Sequence, residues 1–176
     1  ASYVFTVELP SSPLPVALWH AHEMLFGYTF AVIAGFLLTA IKNWTGQEVL
    51  RGTPLASLFF LWVAARLSLL SGTIIPLTVT ALIDTGFMLL LTIVCLRPVL
   101  AVKQYKQAGI ISKLFLLMLC NVLFYLGVFE VVDNGVVYGL YSALYIVIAL
   151  MLVMMRRVMP MFIQNGVDGE VQIINR

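Results

Sequence analysis

The sequence predicts an all-α protein, a polytopic transmembrane helical bundle of five spans with its N-terminus outside and its C-terminus in the cytoplasm. Three observations predict it. Of the 176 residues, 62% are hydrophobic and 10% charged, against about 25% charged in soluble domains, and the mean hydropathy is +1.04. The apolar residues form continuous runs, each near the roughly 20 residues needed to cross a bilayer, without the alternation of barrel strands. Nine of the ten Lys and Arg residues fall on one side of an alternating topology. A net charge of +2 leaves no electrostatic footprint for nucleic acid, which is not expected as a partner. Cys95 and Cys120 sit in apolar runs and offer neither a disulfide framework nor a CxxC metal knuckle.

Residues 1–16 read as an extended segment on the outer side, with Ser12 and Pro13 placed to begin a helix. The bundle covers 17–163, and 164–176 form a cytoplasmic tail. The first span runs over about 17–41, bracketed by Trp19 and Trp44 as interfacial anchors about 37 Å apart along a helix. It lacks a basic start and lies behind mixed sequence, so it is not read as a cleavable signal. The second span covers 54–71. The third, 76–96, opens at Pro76 and is closed by Pro98. The fourth covers 110–129. The fifth covers 136–162, with Pro160 expected to kink or end it.

Orientation follows from Lys42, Arg51, Arg97, Lys103, Lys106, Lys113, Arg156, Arg157 and Arg176, all on one side. The opposite side carries Glu8, Glu130 and Asp133 and no Lys or Arg, so the basic side is cytoplasmic.

Function is sought among polar residues inside the spans, because an ionised group there costs roughly 2.5–3.5 kcal/mol on the insertion scale. These are His20, His22, Glu23, Arg66 and Asp84. By helix rise all lie within roughly 7 to 12 Å of the outer boundary. The short connection between the second and third spans lets Arg66 and Asp84 meet as a structural ion pair. His20, Glu23, Gly27, Ala31, Gly35 and Thr39 recur at helical spacing, predicting a stripe with His20 and Glu23 turned into the bundle. His22 lies about 200° round the helix from His20. The two rings could share an ion only if the helix began after His22. Histidine is the commonest metal ligand, but H-x-H alone is a weak motif, and hydrogen-bonded interfacial histidines are the plainer reading. Met151, Met154, Met155, Met159 and Met161 read as flexible apolar filler before they read as a thioether copper site. Arg156 and Arg157 read as snorkelling anchors. With no nucleophile–base pair and no phosphate loop, the residues do not suggest an enzyme.

The run from Leu18 to Tyr28 (LWHAHEMLFGY), continuing through Ala31–Ala40, Asn43–Gly46 and Leu50–Gly52, resembles the signature of the NnrS family. Arg66, Asp84, Arg97–Pro98, Asn121 and the Arg157–Pro160 segment with Phe162 and Asn165 occupy places where family residues are expected. The resemblance implies a multi-pass protein of the bacterial inner membrane, associated with haem and copper and with the nitric oxide response or nitrosative-stress tolerance. His20 and His22 then become candidate haem or copper ligands. Glu23 would orient a histidine, and Arg66 would pair with Asp84 or a haem propionate. There are departures. Met155 and Arg156 stand where glycines are expected, Ile163 where Thr is, and Tyr125 where many relatives carry histidine. Family members are longer, so a fragment or shortened relative is expected, completed by a missing second half or by another copy. The partner certain from composition is the lipid bilayer. Beside the cofactor reading stands a transporter or channel for an ion or small molecule that uses Glu23, Arg66 and Asp84 as gating or proton-relay groups. A purely structural bundle within a larger assembly stands third.

Overall fold

A computed structural model describes residues 14–71, 74–103 and 107–166, with backbone alone at 160–162 and 164–166. The expected extended segment before Leu14, the Ser12–Pro13 helix start, Lys106 and the tail beyond Gly166 lie outside the described residues. The described residues are helical: α1 (Val16–His22), a π-helical turn (Glu23–Tyr28), α2 (Thr29–Thr45), α3 (Thr53–Leu70), α4 (Leu77–Ala101), α5 (Ala108–Val128) and α6 (Gly135–Gly166). α1, the π turn and α2 make one continuous rod, Val16–Thr45. With α3, α4, α5 and α6 it gives five helices long and apolar enough to cross a membrane.

The helix ends follow from local chemistry. α2 stops at Gly46, whose φ of 68° is the left-handed conformation of a helix C-terminus and whose N–H bonds back to the Lys42 carbonyl. The 46–52 segment then folds back so that Val49 and Leu50 pack on the core, while Glu48 accepts from Lys42 Nζ at 2.7 Å and Arg51 Nη1 at 3.2 Å. α3 takes Pro54 in its first turn, and α4 starts after Pro76. Neither Pro98, expected to close its helix, nor Pro160, expected to kink or end one, ends the helix it lies in. Pro98 sits inside α4, which continues to Ala101, because a proline in a last turn forfeits only the single bond to the carbonyl four residues back. α6 likewise runs through Pro160 to Gly166.

α4 is the central helix, in contact with α2, α3 and α5. α5 and α6 form the tightest pair. Their glycines make this possible: a Cβ on Gly139 would stand 2.8 Å from the Cys120 carbonyl oxygen and 2.8 Å from the Phe124 nitrogen. Backbone thus lies directly on backbone, the close packing that small residues allow in lipid. The core threads Phe26, Phe30, Leu37, Met88, Leu91, Leu114, Leu117 and Phe124. The outside is apolar too: Phe60, Leu82, Tyr145, Met151 and Leu152 are exposed, as a hydrocarbon solvent permits. Met151, Met155 and Met159 face outward along α6.

Candidate functional site

The site is built where α1 turns into the π helix. Val16–His22 is regular α-helix, so the rings two residues apart diverge. His20 is exposed and His22 is fully buried. The expectation that His20 lines the interior is therefore corrected: it faces outward and His22 faces in. The expected small-residue stripe is corrected with it, since Gly35 and Thr39 are exposed and a Cβ at Gly35 would meet nothing within 4 Å. The buried stripe is His22, Phe26, Phe30, Ala34, Leu37 and Ile41. The π turn accounts for the change of phase. Its bonds span five residues, with the Thr29 N–H reaching the Met24 carbonyl, so each turn holds more residues than the periodicity argument assumes. The Thr29 hydroxyl donates to the same carbonyl at 2.7 Å.

Around His22 the structure assembles a buried polar cluster from four helical segments. His22 Nε2 lies 2.9 Å from Asn121 Oδ1 on α5. Asn121 Nδ2 donates to Asp84 Oδ2 on α4 at 3.0 Å, and the Tyr125 hydroxyl donates to the same oxygen at 3.3 Å. Because the Asn121 amide nitrogen is committed to a carboxylate, its oxygen faces His22, and Nε2 is the nitrogen that carries a hydrogen. Asp84 Oδ1 accepts from Arg66 Nη2 on α3. Arg66 Nη1 donates to Glu23 Oε1 at 2.6 Å. His22 Nδ1 lies 3.6 Å from Glu23 Oε1, too far for a hydrogen bond, and among the described residues it has no other partner. Asp84 and His22 are 0% exposed, Arg66 11% and Glu23 16%, so the network is shut at Asp84 and reaches the surface at Glu23. Gly27 provides the passage for Arg66. A Cβ there would stand 2.6 Å from Arg66 Nη1 and 2.8 Å from Glu23 Oε2. The Gly27 carbonyl is held by Trp62 Nε1 at 3.2 Å.

The structure thus brings together His22, Glu23, Arg66 and Asp84 and leaves His20 apart. It adds Asn121 and Tyr125, neither of which the residue chemistry singled out. An amide in the middle of a span was the available signal, since a buried amide in lipid needs a partner on another helix. Tyr125 was marked only as standing where many relatives carry histidine, which does not foretell its bond to Asp84.

Whether a haem or metal fits can be tested on the His22 ring. Phe26, Phe124 and Tyr125 surround it with ring centroids at 5.1, 4.7 and 5.3 Å, and Nε2 is engaged by Asn121. This space is filled, and the ring as it stands does not fit a macrocycle. Among the described residues no group of three His, Cys, Asp or Glu is placed to hold a metal ion. The exposed ring of His20 is the one that a planar group could reach.

A family model described as NnrS protein matches residues 2–176. No curated protein matches, and no solved structure does.

Proposed function

This chain belongs to the NnrS family, and from that premise we propose that it is a multi-pass component of the bacterial inner membrane acting in the nitric oxide response, in support of nitrosative-stress tolerance. The family's association with haem and copper is assigned here to the outer end of the first rod. His20 is the candidate ligand, presented outward. His22, Glu23, Arg66 and Asp84 are the anchoring set that fixes the turn carrying it. The observation that supports this division is the contrast between an exposed His20 and a fully buried His22 bonded to Asn121. Hydrogen-bonded partners that orient a ligating segment matter nearly as much as the ligand itself.

An optical spectrum of the purified chain, oxidised and reduced, with and without added haem, tests the reading. A redox-sensitive Soret band that disappears in His20→Ala and is only broadened in His22→Ala is the expected result. No band after haem addition would remove cofactor binding from this chain. A band kept in His20→Ala and lost in His22→Ala would reverse the assignment.

Transport is the second reading, favoured by the linked Glu23–Arg66–Asp84 charges inside a membrane bundle. Glu23→Gln and Asp84→Asn separate the two. Loss of ion or small-molecule uptake with unchanged spectra supports transport, and altered spectra support the cofactor site.

A further inference from the structure

Opposite the polar cluster, at the basic end of the bundle, the folded-back 46–52 segment and the last two turns of α4 border a cleft of about 270 Å³, walled by Glu48, Leu50, Val94, Arg97, Pro98 and Ala101. Its chemistry is two-sided. Leu50, Val94, Pro98 and Ala101 form an apolar wall, and Arg97 stands beside them, exposed and without an ion pair among the described residues. The one acid on the wall, Glu48, already has Lys42 and Arg51 on the same carboxylate oxygen, at 2.7 and 3.2 Å. Lys42 and Arg51 thus already neutralise Glu48, and the Arg97 charge on the wall of the cleft is left over as positive excess. Arg97 lies four residues before the end of α4, about 6 Å along the helix. At the same end Trp44 closes the first rod, with the Arg157 guanidinium 5.5 Å from its ring centroid, a pairing suited to the headgroup level.

We infer that this cleft binds the phosphate headgroup of an anionic phospholipid, with the Arg97 guanidinium on the phosphate and the Leu50–Val94–Pro98–Ala101 wall against the glycerol and upper acyl chain. A guanidinium matches two phosphate oxygens at once. The apolar wall favours a lipid over a free anion, which has no use for it. The site is at the far end of the bundle from His20 and does not rest on the cofactor reading.

The test is thermal unfolding of the full chain in detergent, followed by tryptophan fluorescence, during titration with phosphatidylglycerol, phosphatidylcholine or inorganic phosphate. Phosphatidylglycerol is expected to raise Tm where phosphatidylcholine and phosphate do not. Arg97→Gln should need about fivefold more phosphatidylglycerol for the same shift, the factor equivalent to about 1 kcal/mol per interfacial arginine. Arg97→Lys should keep part of the response, the charge without the two-pronged contact, and it serves as the folded control if Arg97→Gln is poorly behaved. Lys113→Gln, which removes a half-buried base of the same end that donates to the Gly109 carbonyl, should match the wild type. Equal shifts with phosphatidylcholine, or an equal loss in Lys113→Gln, would overturn a specific site. A shift reproduced by inorganic phosphate would overturn the lipid as its source.

Discussion

Asp84 is the residue on which the polar cluster turns. Arg66, Asn121 and Tyr125 all donate to its two oxygens, and no water reaches it. Removing one partner of a buried charge set leaves the others uncompensated, at about 3–5 kcal/mol. Asp84→Ala should therefore lower the unfolding free energy by about that much, and Asp84→Asn by less, because the amide oxygen still accepts from one donor. Denaturing-detergent titration of the helical circular dichroism signal measures both, and two variants of near-wild-type stability would show that the cluster is not a structural anchor. Glu23, Arg66 and Asp84 were legible in the sequence because each is an ionisable group where hydrocarbon tolerates few. Asn121 and Tyr125 were marked only by the family resemblance, since an uncharged amide or phenol inside a span does not by itself name the charge that it will meet. The choice between His20 and His22 was illegible for a different reason: it hangs on the absolute rotation of one helix, which period alone leaves free.

At the level of the element, the π turn shows where periodicity arguments stop. Gly27 and Glu23 were placed on one stripe and do meet the same arginine, but beyond Tyr28 the stripe moves to Phe30, Ala34, Leu37 and Ile41. No residue type announces a π turn, so the shift could not be anticipated. The α5–α6 pair makes a sharper demand. In Gly139→Val the new Cβ would overlap fixed backbone of α5, so a loss of at least about 2 kcal/mol is expected, within the range for overpacking. Gly86→Val, where a Cβ meets nothing within 4 Å, should be near neutral in the same unfolding assay. The 46–52 segment carries a pH signature. The hydrogen bond from Lys42, aided by Arg51, holds the Glu48 carboxyl below its ordinary 4.5. A lowered folded pKa means that its contribution is present above 4.5 and is lost as the pH falls through the depressed value. The Tm difference between wild type and Glu48→Gln should accordingly be small, constant above pH 4.5, and should vanish in more acidic buffer. A difference that grows on acidification would contradict the ion pair.

For the whole molecule, span number and helical class were the most legible features, because the bilayer imposes a length and a polarity that composition cannot hide. Span ends were less so: α4 passes Pro98 and α6 passes Pro160, since membrane helices can bridge a proline near their ends without losing registry. Sidedness rests on the basic residues and is open to direct measurement. Cys95 and Cys120 are buried, so the background for thiol labelling is low. Gln47→Cys should react with an impermeant maleimide only after the cytoplasmic face is opened, and Asn134→Cys from the periplasmic face in intact spheroplasts. The reverse pattern would invert the bundle.

The pairing of Arg66 with Asp84 also constrains how the chain can be made. Each lies in a helix that the translocon must release into lipid, and either charge alone costs roughly 2.5–3.5 kcal/mol at mid-depth. Only residues 71–76 separate α3 from α4. The two helices can therefore leave the insertion channel together, as a hairpin whose charges already cancel. Glu23, on the earlier rod, is already there to meet Arg66, whereas the bond of His22 to Asn121 closes only once α5 has emerged. The charged part of the cluster can thus assemble before the part that seats His22.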